Sequence, residues 1–263
     1  MLSLTINNTL TVGLYDSIKD YPARLQLEAK QYAIMGSSLA STDEELQAKK
    51  DRIDLLLYHG QAAEAHLEQH SWNLSKQLMA DNFHPLHLEW ACHLASVNNV
   101  PLASYDEDML VSLLASMSEQ SLKAEHIESS LSEVKERMFD ETSRSYPSRV
   151  MKGKYNSLLR LKDYGLALVE HYQTGSEESS RKLDEVTLSL LSTQKPANLT
   201  NSPENSLVIL EKSQFNLNAT LQECGCTAPE KLTVYELYGW IERLEAQNER
   251  QKAALAQTKP GKR

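Results

Sequence analysis

Glycine and proline are scarce, 9 and 8 in 263 residues. That is too little turn punctuation for a β-sandwich, a barrel or a doubly wound sheet. Three cysteines cannot complete a disulfide framework, which points to a reducing compartment, the cytoplasm. Lysine and arginine number 27 against 36 acidic residues, for a formal net charge of −9. The clustered positive charge that duplex nucleic acid demands is therefore missing. No apolar run reaches the roughly 20 residues of a membrane helix. The stretch Met1 to Thr11 has neither the basic head nor the apolar core of an export signal. Phosphate loops, dinucleotide glycine fingerprints and strand-turn-helix serine elbows are absent, so no cofactor is expected. These absences leave a soluble, mostly helical chain.

What is present begins with alternation. Leu2, Leu4 and Ile6 alternate with Ser3 and Thr5, and Leu10, Val12 and Leu14 with Thr11 and Gly13. Asn7-Asn8 lies between the runs and tolerates the positive φ of a tight turn, so a β-hairpin is predicted over 1–14. A lone hairpin is marginal in water and must pack on its own helices or join a partner's sheet. Helical signals follow almost without a break. Asp20 and Pro22 open a helix that Gly36 closes; Thr42 with its acidic first turn opens one that stops at Gly60; a third spans Gln61 to Ala80. Pro85 opens a fourth, with Leu86, Trp90, Leu94 and Val97 on one face, and Asp106 caps a fifth. Ser118 starts a long acidic helix that Tyr146-Pro147 breaks, and two more run from Val150 to Tyr172 and from Glu177 to Ser192. Ser202-Pro203 opens a helix that Cys224-Gly225-Cys226 ends, and the last runs from near Leu232 to Gln257.

The fold class expected is thus a mostly α multi-helix bundle with a short N-terminal β-hairpin. The clearest boundary is STQKPANLTNSP, rich in Pro, Asn, Ser and Thr and without apolar period. It divides the chain into the hairpin at 1–14, a helical body at 15–192, a linker or long loop at 193–203, and a C-terminal helical pair at 204–263 whose tail frays.

Candidates for chemistry are few. His66 and His70 share a helix face, but Leu67 stands where a zinc protease needs glutamate, and Glu68 points elsewhere. His84, His87, Cys92 and His93 form a denser group, yet His87 and Cys92 are five residues apart on one helix and do not share a face. Cys224 and Cys226 supply two thiols with no second pair, which reads as a helix terminus with a left-handed Gly225. No catalytic or metal residue is assigned; a metal-dependent enzyme built on the His84–His93 group is the third-ranked reading.

The last helix carries most information. Val234, Leu237, Tyr238, Ile241 and Leu244 recur at three- and four-residue steps, with Tyr235 and Trp240 broadening the stripe. From Leu244 onward five basic residues face two acidic ones. The same pattern serves a core helix or one docking into a partner's groove. The partner-binding candidates are Val234, Leu237, Tyr238, Trp240, Ile241 and Leu244.

Three segments, in order, carry a resemblance: the β start with Tyr21-Pro22-Ala23-Arg24 and the helix to Gly36, the acidic helix ending at Tyr146-Pro147, and the closing Leu232-Thr233-Val234-Tyr235-Glu236-Leu237-Tyr238 helix with its charged extension. Together they resemble proteins encoded in tail-gene clusters of bacteriophages and prophages. The resemblance implies a tail assembly chaperone-like or tail-accessory protein made beside the tape measure, and it carries over no functional residue. The expected function is a non-enzymatic interaction protein that masks hydrophobic helices of another tail component, in the bacterial host cytoplasm, with no duplex nucleic acid and no membrane as partner. A helical regulatory or adaptor module binding a partner protein is the alternative.

Overall fold

The N-terminal alternation forms two strands, β1 (Leu2–Asn7) and β2 (Leu10–Leu14), paired antiparallel with Leu4 opposite Val12 and Thr5 opposite Thr11. Their turn does not use the positive φ expected of Asn7-Asn8. Asn7 Oδ1 accepts instead from the Thr9 N–H, the Thr9 hydroxyl and the Leu10 N–H, at 2.8, 2.8 and 2.9 Å. The side chain thus closes the loop that backbone conformation would otherwise have to close. The computed structural model describes residues 1–80, 83–193 and 196–258.

Two further strands, β3 (Leu94–Val97) and β4 (Val100–Pro101), extend the hairpin into an antiparallel sheet of order β1-β2-β3-β4. This corrects the expectation that Leu94 and Val97 lie on a helix. The left-handed pair is Asn98 and Asn99, at φ 50° and 64°, and it makes the tight turn between β3 and β4. Gly13 lets β3 come close where it meets β2: a Cβ there would stand 2.6 Å from Ser96 Oγ, so that side chain would have to turn.

Among the described residues ten helices complete the fold: α1 (Ala23–Ser38), α2 (Asp43–Tyr58), α3 (Ala62–Ala80), α4 (Pro85–Ala91), α5 (Glu107–Glu119), α6 (Ala124–Ser145), α7 (Pro147–Thr174), α8 (Glu177–Thr193), α9 (Ser206–Glu223) and α10 (Val234–Thr258). The protein is therefore mostly α, with the predicted hairpin as the first half of its sheet. Several boundaries differ from expectation. Gly36 lies inside α1, and Ser118 belongs to the last turn of α5, with the break at Ser121, φ 74°. The helix after Pro203 begins only at Ser206, where Asn205 Oδ1 accepts from the Leu207 N–H at 2.8 Å. Thr42 does cap α2, its side chain accepting from the Glu45 N–H at 3.2 Å.

The chain divides into two compact units, residues 1–29, 90–142 and 213–263 in the first, and 30–89 and 143–212 in the second. It passes between them inside α1, α4, α6 and α9, not at the 193–203 stretch. The described part of that stretch is an organised loop. Asn198 accepts from the Thr200 N–H and hydroxyl, the Ser206 N–H donates to Asn198 O at 2.7 Å, and Leu199 is buried. Polar composition here means side chains that bond the backbone, which sequence cannot separate from a linker. Gln194, Lys195 and the tail from Lys259 lie outside the described residues.

In the first unit Leu10, Val12, Leu14 and Leu94 of the sheet are buried, as are Leu110 and Met117 of α5, Leu131 and Val134 of α6, and Leu221 of α9. Trp90, fully buried, donates from Nε1 to Ser130 Oγ at 2.9 Å. The Glu141 carboxylate receives the Ser17 hydroxyl and the Ile18 N–H, each at 2.8 Å. The start of α10 is sewn to the same loop by Val234 N–H to Tyr21 O and Ala23 N–H to Leu232 O, both 2.9 Å. It also carries a reciprocal cap: the Thr233 N–H donates to Glu236 Oε2 at 2.9 Å and the Glu236 N–H to Thr233 Oγ1 at 3.3 Å. Glu236→Ala should lower stability by about 1 kcal/mol in urea unfolding. An unchanged midpoint would mean that the backbone bonds to Tyr21 and Ile18 hold this end alone.

In the second unit α2 packs on α3 through Ile53, Leu56, Ala65 and Trp72. Trp72 Nε1 donates to Leu46 O at 3.2 Å, and the Ala40 N–H donates to buried Ser75 Oγ at 2.8 Å. α7 and α8 form a second helical pair, joined through Gly175 and capped where the Ser179 N–H donates to Ser176 Oγ at 3.1 Å.

Candidate functional site

The six docking candidates on α10 separate by burial. Val234 and Leu237 are core residues, 0% and 6% exposed. Tyr238 is half-buried and its hydroxyl accepts from Gln26 Nε2 at 3.0 Å, within the first unit. Trp240, Ile241 and Leu244 are half-buried. The Arg243 guanidinium lies 5.2 Å from the centre of the Trp240 ring, and the two line a hollow of about 330 Å³ with Glu236 and Gly239. The inner half of the predicted stripe therefore holds α10 to its own unit. Only the outer half is left for a partner.

The histidine and cysteine candidates do not assemble. His84 and His87 fall in the second unit, with ring centres 4.8 Å apart, and burial together with the His84 charge lowers the His87 pKa. Cys92 and His93 fall in the first unit, both buried. Among the described residues no three His, Cys, Asp or Glu side chains are grouped to hold a metal ion. Cys224 and Cys226 are free thiols flanking Gly225 at φ 95°. The Cys226 N–H bonds Leu221 O at 2.9 Å and the Gly225 N–H bonds Gln222 O at 3.0 Å, which is how a left-handed glycine closes a helix.

His93, the residue before β3, is buried among aromatic side chains. Its ring stacks on Tyr21 with centres 4.7 Å apart, and Tyr21 tilts against Tyr15 at 5.7 Å. The Tyr105 hydroxyl donates to Leu94 O at 2.6 Å. Burial, then the neighbouring Tyr15, pushes the Tyr105 hydroxyl well above its usual range. Burial, reinforced by the Lys135 charge, pushes the His93 imidazole down to about 4.

Two features were not foreseen in the sequence. The first is a row of exposed apolar side chains on α7: Leu161, Leu166, Val169 and Tyr172. The second is an ion cluster in the wall of a cavity of about 730 Å³ in the second unit. Lys49 Nζ donates to Glu68 Oε1 at 2.7 Å, and Arg52 Nε stands 3.8 Å from Glu68 Oε2. The Lys49 and Glu68 side chains are 13% and 6% exposed. Glu68 points to a different face from the exposed His66, as expected, and that face is the buried one of α3, shared with Ala65, Ser71 and Ser75. A carboxylate at a core position of one helix and a lysine in step with Ile53 and Leu56 on the preceding one was the available signal.

Among the described residues no helix is long and apolar enough to cross a membrane. Comparison with protein-family models, with curated proteins and with solved structures returns no match to this chain.

Proposed function

We propose that this chain is a non-enzymatic interaction protein of phage tail assembly, a chaperone-like or accessory component acting in the host cytoplasm. Its client is an apolar helix of a tail protein such as the tape measure. The observation that carries this reading is the α7 row, where Leu161, Leu166, Val169 and Tyr172 are 49%, 59%, 53% and 81% exposed. At 100° per residue these four positions span roughly 140° of the helix surface, the width of a face that packs on another helix. Large apolar side chains held in water gain roughly 25 cal/mol per Å² on being covered, which favours association, and the exposed Lys162 and Gln173 on the same arc can keep their polar ends in water. The resemblance of three segments, in order, to phage tail-cluster proteins is the ground for the choice of client.

Co-expression with the tape-measure protein from the same gene cluster tests it. The intact chain should keep that client in the soluble fraction, and Leu166→Lys with Val169→Lys should lose the protection. Both positions are solvated, so the thermal midpoint should stay unchanged. Equal protection by the double variant would remove α7 as the docking face.

A further inference from the structure

The two edges of the sheet differ. β4, at one edge, is two residues long, and one of them is Pro101, which has no N–H to offer. β1, at the other, is six residues long and has no proline. Residues 2–14 hold no charged side chain, in a chain of which 24% is charged. Charge, proline and short length keep a strand edge from pairing with another chain, and β1 has none of these, only a bulge at Ile6. Which backbone groups lie on this edge follows from β2. The Asn98 N–H donates to Thr11 O at 2.7 Å and the Thr11 N–H to Asn98 Oδ1 at 2.8 Å, so Thr11 faces β3. The Tyr15 N–H does the same toward His93 O at 2.8 Å. Strand residues alternate, so Val12 faces β1, and Leu4, its ladder partner, faces β2. The N–H and C=O of Ser3 and Thr5 therefore point outward, and both residues are exposed. Leu2 and Leu4 are half-buried beside Leu14 and Val12, each 0% exposed, so the apolar face of the sheet stops unfinished at β1.

We propose that β1 pairs with β1 of a second copy of this chain, antiparallel about a twofold axis at Leu4, joining two four-stranded sheets into one. In that register Ser3 stands opposite the partner's Thr5, Thr5 opposite the partner's Ser3, and Leu4 opposite the partner's Leu4. Ser3 and Thr5 carry the outward groups, so these two pairs are the hydrogen-bonded ones and together make four N–H to C=O bonds. The Leu4 pair between them is of the closely spaced kind, and each leucine covers the other. From Leu2 to Ile6 the order apolar, polar, apolar, polar, apolar reads the same in both directions. A twofold therefore sets like against like, and with no charge in the strand nothing repels, which commits the edge to a second copy. A pairing about 20 Å long is smaller than a permanent dimer needs, so association is reversible at micromolar concentrations. This pairing is independent of the α7 surface and of any client.

Sedimentation velocity of the intact chain over about 1–300 µM, in about 0.15 M salt to screen its net charge, tests the pairing. A monomer–dimer equilibrium is expected. Thr5→Pro removes an N–H that β2 does not use and, counted in both copies, two of the four bonds, so it should weaken dimerisation about tenfold or more. Ser3→Glu with Thr5→Glu, and separately Ser3→Lys with Thr5→Lys, set like charges opposite one another, and each variant should be monomeric. Mixing the acidic with the basic variant sets opposite charges across the twofold and should restore a one-to-one dimer. Both positions are exposed, so the thermal midpoints should hold. A parent chain that stays monomeric to about 300 µM overturns the proposal. So does a dimer that Thr5→Pro leaves intact, or a mixture of folded acidic and basic variants that does not associate.

Discussion

Lowering the pH from neutrality to about 4 is expected to remove about 3 kcal/mol of stability through His93 alone. The folded imidazole titrates near 4, whereas the unfolded one titrates near its ordinary 6.5. Above the unfolded value both states are neutral and nothing is lost. As the pH falls below it, the unfolded chain takes up a proton that the folded chain refuses. The loss therefore grows downward through this window and levels off once the folded ring is protonated too. His93→Phe keeps the stack on Tyr21 and removes the titration, and Nδ1, which has no protein hydrogen-bond partner, is not missed. The measurement is the urea midpoint against pH for both proteins. Carboxylates titrate in both alike, so the difference isolates the ring. Parallel curves for the two would mean that His93 is solvated.

Lys49→Met is expected to cost about 2 kcal/mol, because it takes the 2.7 Å charge-assisted bond from a Glu68 carboxylate at 6% exposure and leaves Arg52 at 3.8 Å as the nearby cation. The double change Lys49→Met with Glu68→Leu should recover most of that loss, since a matched apolar pair needs no hydration. Urea unfolding of the two singles, the double and the parent closes the cycle. A single-variant loss under about 1 kcal/mol would place the pair with ordinary surface ion pairs.

Helix positions were largely readable because their punctuation is local. Thr42 with its acidic first turn, the Tyr146-Pro147 break and Gly225 each act within a few residues, and each stands where the sequence puts it. The β3–β4 hairpin was hidden because Trp90, Leu94 and Val97 have helical spacing by accident. A four-residue strand offers too little alternation to compete with that. Its Asn98-Asn99 turn repeats the doublet at Asn7-Asn8, and of the two only the later pair takes the left-handed conformation. The α10 stripe was readable as a stripe but not as to what covers it, since Leu237 is buried and Val234 bonds Tyr21, remote in sequence. The Glu68 pairing was hidden for the same reason: its partner is on another helix, and a helical wheel holds only its own residues.

The join between the Tyr21 loop and α10 also bears on how the chain is made. Gln26 and Tyr238, bonded across that join, are 212 residues apart in sequence. At cellular synthesis rates that separation takes about 10–40 s to translate. For that interval a nascent chain has its first two strands in hand while Ile18 and Tyr21 still lack their backbone partners at residues 234 and 235. The first unit cannot close until its closing helix has left the ribosome, so folding of this unit waits on the synthesis of α10. The second unit, whose residues all precede 213, is complete in sequence before that point and is free to fold ahead of it.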